Sequence, residues 1–336
     1  MLLGEIPSKT LSKIPLKKGI AKDKIIYYTP EYGDLLMNKM PHLVQYQGSK
    51  RNLAPQILHF FPNAFGRLIE PFAGSAAITI ACASENKAER FLINDLNKPL
   101  VELLKIVIEE PEYTAKKYRE IWSDQKYDSI EHYYQIREKF NLTKDPICFL
   151  YLLARCVKGS VRYNNEGFFN QSPDKRRKGT SPSQMEKNIY NISSLLKGKV
   201  NFYSLDYKDI FDMALPGDVI YMDPPYQGVC GERDSRYFSG IAHEEFVEEL
   251  KKLIKRGISF LVSYDGKCGN KVYGNEIPIK AGIKHIELHA GRSSQATLLG
   301  KNEITYESLY VSNDLYQKNY LFYEGDKKNE LFARVS

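Results

Sequence analysis

Residues 223–226 read Asp-Pro-Pro-Tyr and close the apolar run "DVIYM". A carboxylate accepts hydrogen bonds and stabilises positive charge that develops beside it. Two prolines stiffen the backbone and bring no N–H, leaving their carbonyls to face a ligand. A tyrosine ring offers a stacking surface to a flat base. The combination suits an exocyclic amine: acceptors for its hydrogens, and a ring beneath the base that carries it. Further acids sit at comparable places, since "RLIE" ends in Glu70, "RFLIND" in Asp95 and "KVNFYSLD" in Asp206. Between the first two lies "EPFAGSAAITI", a glycine-containing turn that opens a helix. Such a turn aims backbone N–H groups at a ligand. Glu70 and Asp95 beside it suit a ribose or an ammonium group.

Those acids need strands to hold them. Short apolar runs at 67–70, 90–95, 199–206, 218–223 and 258–265 read as strands. Phe246, Leu250, Leu253 and Ile254 recur at helical spacing. "IKHIELHA" and "YESLYVS" read as a terminal hairpin around the polar loop "GRSSQATLLGKNEIT". Strands alternating with helices predict an α/β fold with a mostly parallel sheet. In such sheets ligands bind outside the carboxyl ends of the strands, so the four acids would line one rim. The polar and aromatic stretch from 100 to 198 interrupts the alternation and reads as an inserted, mainly helical subdomain. The expected organisation is an extension over 1–42, a catalytic domain over 43–99 and 199–336, and the insert over 100–198.

The chain has 336 residues, 43% hydrophobic and 26% charged, with a net charge of +7. This is the balance of a soluble globular protein. The longest apolar runs, such as "ICFLYLLA", are too short to span a bilayer. The N-terminus lacks the apolar core of a secretory signal, and a cytoplasmic protein is expected. Five cysteines are scattered, with no CxxC pair and no Cys/His cluster, so reduced thiols and no metal are expected. Two basic clusters stand out. Lys9, Lys13, Lys17, Lys18, Lys22 and Lys24 face Asp23 alone, and Lys175, Arg176, Arg177 and Lys178 stand in a row. A single charge run is usually a solvated loop; two in one chain favour a nucleic-acid partner.

From about Val44 to Asn313 the motifs resemble, in order, those of the D12 class (alpha group) of S-adenosylmethionine-dependent DNA adenine-N6 methyltransferases, which includes the Dam enzymes. "YQGSKRNLAPQILHFFP" resembles the family's opening motif. "EPFAGSAAI" resembles its cofactor loop, and "INDLNKPL" its ribose-binding strand end. "VRYNNEGFFNQSPDKRR" resembles its DNA-contacting hairpin. "SLDY" and "DVIYMDPPYQG" resemble the adenine-binding and catalytic strand ends, and "GRSSQ…ESLYVSN" the closing hairpin. One departure is Ala76, where family members often carry a second glycine; its methyl is expected to narrow the site.

The resemblance implies a Rossmann-like methyltransferase fold and S-adenosylmethionine as cofactor. Tyr46, Gly48 and Lys50 would meet the cofactor's methionine end, with Lys50 supplying charge to its carboxylate. Glu70 would belong to the same site, Phe72, Ala73 and Gly74 would pack around the cofactor, and Asp95 would hold its ribose. Asp206 and Tyr207 would face its adenine ring. Asp223 would hold the target amine with help from the Pro224 carbonyl, and Tyr226, beyond Pro225, would stack on the target base. Ser160, Arg162, Asn164, Lys175, Arg176, Arg177, Lys178 and Arg292 would contact duplex DNA. No Pro-Cys pair of the cytosine-C5 kind is present. The implied setting is a bacterial or phage enzyme, acting as a monomer on double-stranded DNA, with a restriction endonuclease as functional partner. A solitary Dam-like enzyme, a cytosine-N4 enzyme and an RNA adenine enzyme share the same chemistry.

Overall fold

The structure, a computed structural model, describes residues 40–225, 241–268, 271–273, 276–278, 282–292 and 304–317. Tyr226, the lysines of 9–24 and most of the polar loop of the closing hairpin lie outside the described residues. So does the side chain of Arg292.

The strands are β1 (Phe65–Glu70), β2 (Ala88–Asn94), β3 (Val200–Tyr203), β4 (Val219–Met222), β5 (Ser259–Cys268), β6 (Lys271–Tyr273), β7 (Ile283–Arg292) and β8 (Ile304–Ser312). They form one sheet in the order β3-β2-β1-β4-β5-β8-β7, with β6 paired to β5. β3, β2, β1, β4 and β5 run parallel. β8 pairs antiparallel with both β5 and β7, which is the terminal hairpin expected from the sequence. Chain order reverses between β1 and β4, and the carboxyl ends of these two strands frame the crevice where such sheets bind ligands.

The parallel strands are apolar on both faces because both faces are covered. Leu68 and Tyr221 point into one core with Phe91 and Leu261. Their neighbours Ile69 and Ile220 point into a second core with Leu92 and Phe260. The second core is closed by α8 (Tyr207–Asp212) and α9 (His243–Lys255), where Phe246, Leu250 and Leu253 are buried as their spacing requires. The first is closed by α1 (Ala54–Leu58), α2 (Ala77–Ser84) and the helices α3 (Lys98–Glu109), α4 (Pro111–Asp124), α5 (Ser129–Thr143), α6 (Pro146–Arg155) and α7 (Pro182–Leu196). The helices of the expected insert thus share one hydrophobic core with that face of the sheet. Their starts are marked in the sequence. Asp145 caps α6 by accepting from the Ile147 N–H at 2.8 Å, with Pro146 at the first helical position. Ser181 and Pro182 do the same for α7. No helix among the described residues is long and apolar enough to cross a membrane.

Candidate active site

One cavity opens at the β1/β4 reversal. Every residue expected to hold a cofactor lines it, and so do Asp223 and Pro225. Pro224 is buried beside them.

Its floor is the turn after β1. Gly74 adopts φ +50°, and a Cβ there would lie 3.4 Å from the Tyr46 ring. The turn is tied down by Asp95, whose Oδ2 accepts from the Gly74 N–H and whose Oδ1 accepts from the Asn97 N–H, both at 2.9 Å. Burial raises the Asp95 pKa, and those two N–H groups oppose the rise. Ala76 does not narrow the cavity as expected. It is 1% exposed, packs in the first core, and adopts φ 53° just before α2. Its methyl therefore acts on the backbone, at a left-handed position that costs an L-residue about 1 kcal/mol, and not on the ligand space.

Glu70 ends β1 inside the cavity wall and is 2% exposed. Its Oε2 accepts from the Thr79 N–H in the first turn of α2 at 2.9 Å. Burial pushes its carboxyl up to about 8; bonds from Thr79 pull the other way, and the nearby charge of Asp223 adds to the rise. Near neutral pH Glu70 is largely a protonated acid, so it suits a hydroxyl or an amide better than the ammonium considered from the sequence.

At the far end Phe72 and Tyr207 pack with ring centroids 5.4 Å apart. Burial raises the Tyr207 phenol well above its ordinary value. Asp206 caps α8 by accepting from the Lys208 N–H at 3.0 Å. Asn94, which the sequence reading passed over, joins this end to the turn. Its amide donates to the carbonyls of Pro71 and Leu205, and its Oδ1 accepts from the Leu205 N–H at 2.9 Å. The signal lay in "IND", where a buried amide stands one residue ahead of the assigned acid.

Asp223 lies just beyond β4, and its Oδ1 is 2.9 Å from the Lys50 ammonium. Lys50 is 7% exposed and also meets Glu307 of β8 at 3.2 Å. It was expected at a ligand carboxylate; the structure sets it between two protein carboxylates. A buried ammonium needs such partners, because desolvating it unpaired costs several kcal/mol. Glu307 lies within the closing-hairpin motif "ESLYVSN", whose resemblance implies no chemical role for it. Among the described residues no cluster of His, Cys, Asp and Glu is arranged to hold a metal ion.

The residues expected to meet DNA are not in the cavity. Apart from Arg292, which ends β7, they follow α6, in a hairpin bridged at Tyr163 and Phe169 and in the loop after it. Arg162, Lys175, Arg176, Arg177 and Lys178 are exposed. Arg177 pairs with Asp174 at 2.7 Å. Ser160 departs from expectation: it is 2% exposed, and its buried hydroxyl has no hydrogen-bond partner among the described residues. Asn164 spends its Oδ1 on the hairpin itself, accepting from the Glu166 and Phe168 N–H groups at 3.1 and 2.8 Å.

The hairpin also touches the cavity. Gln47 donates its N–H to the Gly159 carbonyl at 3.0 Å, and a Cβ on Gly159 would fall 1.9 Å from the Gln45 carbonyl oxygen. Tyr163 lines the cavity and donates its hydroxyl to Asn97 Oδ1 at 3.0 Å. Behind the basic loop, Arg155 is buried at the end of α6. It donates to the carbonyls of Asp174 and Arg177, to Gln125 Oε1 and to Ser129 Oγ. Trp122 and Gln125 donate to the Lys178 carbonyl, and Tyr133 to that of Gln171. A lone arginine closing the apolar run "ICFLYLLAR" was the available signal for this role.

The sequence matches the family described as D12 class N6 adenine-specific DNA methyltransferase over residues 46–291. A DNA adenine methylase of Haemophilus influenzae is 28% identical over 251 residues, which cover 71% of this chain and 85% of that protein. A DNA N-6-adenine-methyltransferase of Escherichia phage P1 is 29% identical over 237 residues, which cover 67% of this chain but 30% of that one. The DNA adenine methylase of Escherichia coli K12 is 27% identical over 236 residues, which cover 68% of this chain and 81% of that protein.

Proposed function

The chain belongs to the D12 class N6 adenine-specific DNA methyltransferases, and from that premise we propose that its cavity brings S-adenosylmethionine together with an adenine flipped out of duplex DNA. The observation that carries this reading is the cavity at the β1/β4 reversal, which joins the glycine turn of 71–76 to Asp223. Two features of the chain fit that cofactor. Gly74 leaves space that a Cβ would take up against Tyr46. Asp95 accepts one backbone N–H at each oxygen and keeps lone pairs for a ribose diol. Bound there, S-adenosylmethionine supplies a methyl group carried on a positively charged sulfur.

The protein's part is to aim and to stabilise. Tyr46, Gly48 and Ala73 border the cofactor's methionine end, and Phe72, Asp206 and Tyr207 border its adenine ring. Asp223 and the Pro224 carbonyl accept the two N6 hydrogens of the target. Doing so favours a pyramidal nitrogen with its lone pair aimed outward. As positive charge grows on that nitrogen the Asp223 carboxylate stabilises it and takes up the proton it sheds. Tyr226 stacks on the extruded base, offsetting the few kcal/mol that unpairing costs. Arg162 reads a base edge, and Lys175, Arg176 and Lys178 hold phosphates. Residues 100–198 serve as the recognition insert, although they share a core with the sheet. A DNA substrate places the protein in the cytoplasm, and we assign it to the modification half of a restriction pair.

The test is expression in a bacterial host free of methylation, with modified bases mapped by single-molecule sequencing. N6-methyladenine at one short motif is expected, and Asp223→Ala should abolish it while the purified variant still binds duplex DNA. Full marking by that variant would overturn the assignment of Asp223. A nuclease that cuts only the unmarked motif would establish the restriction setting; the lack of one beside the gene would make the enzyme solitary.

A further inference from the structure

Lys50 meets two carboxylates that come from different strands of the sheet. One is Asp223, beyond β4. The other is Glu307 on β8, a strand whose motif had carried no chemical role. Three charged groups in a mostly buried cluster sum to one net negative charge. We propose that Glu307 is a positioning residue for methyl transfer, acting on Asp223 through Lys50. The inference rests on the reading of Asp223 given above.

The argument is one of shared charge. Asp223 must present an oxygen to an amine and must stay basic enough to stabilise charge on it. An ammonium at 2.9 Å that belonged to Asp223 alone would occupy that oxygen and lower its basicity. Glu307 at 3.2 Å gives the ammonium a second anion, so its charge is divided and its position fixed by both carboxylates. Removing Glu307's charge shifts more of the ammonium's pull onto Asp223. The geometry supports a fixed division: Lys50 is 7% exposed, and water has little access to substitute for either carboxylate. Ser49 caps the short helical turn that carries Lys50 and accepts from the Ser75 hydroxyl at 3.0 Å, so the lysine's backbone is anchored to the cofactor turn. Among the described residues, the titratable groups set around Asp223 are then Lys50 from this turn, Glu307 from β8 beyond that lysine, and Glu70 from β1, which burial keeps largely protonated.

The decisive variant is Glu307→Gln, which keeps the shape and removes the charge. Steady-state methyl transfer to a duplex bearing the mapped motif is measured across pH. The expected result is a kcat lower by about ten- to a hundred-fold, with KM for DNA and for S-adenosylmethionine within about two-fold of wild type. The acid limb of the kcat profile moves to lower pH, because Asp223 now feels more of the ammonium's pull and one anion fewer. A residue that merely supported the fold would not move that limb. In a Lys50→Met background, Glu307→Gln should add no further loss, since its route to Asp223 is gone. Wild-type kcat with an unmoved limb, or a loss that persists in the Lys50→Met background, overturns the inference. Should Glu307→Gln fail to fold, Glu307→Asp decides: it keeps the charge and withdraws the oxygen by one methylene. Reduced kcat there supports the proposal, and wild-type kcat overturns it. Asp223→Asn in the same series separates the two levels. Turnover by that variant removes the catalytic reading itself. A dead Asp223→Asn beside a fully active Glu307→Gln leaves the reading intact and removes this inference.

Discussion

Glu70 is the residue whose charge state reaches furthest. Its folded pKa near 8 lies above the ordinary value of 4.5, so between those limits the native chain keeps a proton that the unfolded chain releases. Stability from this group is fully present below the lower value and is lost as pH rises toward the upper one. Wild type is expected to lose up to about 4 kcal/mol of stability from about pH 5 to about pH 8.5 that a Glu70→Gln variant does not lose. Paired thermal melts over that range measure it, and parallel trends for the two proteins would remove the raised acid. The same protonation bears on the chemistry. A neutral Glu70 spares Asp223 a further negative neighbour beside Glu307, so of the two acids at the ends of β1 and β4 it is Asp223 that stays the anion. Burial separates two acids that the sequence could only set side by side.

Among elements, the hairpin after α6 and the turn after β1 are joined by a chain of contacts. Tyr163 donates to Asn97, the Asn97 N–H donates to Asp95, and Asp95 accepts from Gly74. Tyr163→Phe removes one hydroxyl and leaves the ring, stranding the Asn97 oxygen. The expected loss is about 1 kcal/mol of affinity for S-adenosylmethionine, roughly five-fold, and a smaller gain of that affinity when duplex is added. Calorimetric titration with and without DNA tests both, and unchanged values would leave Tyr163 a packing residue. This link could not be read from the sequence, although its parts could. The strands were legible because parallel strands buried on both faces are continuous apolar runs, and their terminal acids were legible with them. Asn97 stands beside an assigned acid, but the partner that orients it comes from a distant hairpin. Lys50 and Glu307 likewise meet only once β8 lies beside β5. The boundary of the insert was read from polarity; its shared core shows only in the packing of Tyr118, Tyr133 and Phe140, aromatic residues spread through helices that look amphipathic and self-sufficient.

For the whole molecule the question is how a net charge of +7 is used. The cavity is acidic, with Asp95, Asp206, Asp223 and Glu245 on its walls against Lys50 and Lys208, while Lys175, Arg176, Arg177 and Lys178 lie exposed outside it. Replacing these four with glutamine should weaken duplex binding and reduce the slope of log affinity against log salt by about three, since each phosphate contact contributes about 0.9 and Arg177 is partly engaged by Asp174. Anisotropy titrations across a salt series measure the slope; an unchanged slope would return these residues to the status of a solvated loop. The fixing of that loop has its own consequence. Arg155, Trp122, Gln125 and Tyr133 grip it through backbone carbonyls, which every amino acid supplies. The path of the chain is thereby made independent of which side chains it displays. Mutations can exchange the outward-facing residues of 175–178 without redrawing the loop, so a lineage can retune how tightly and how salt-sensitively it holds a duplex while its catalytic floor stays as it was.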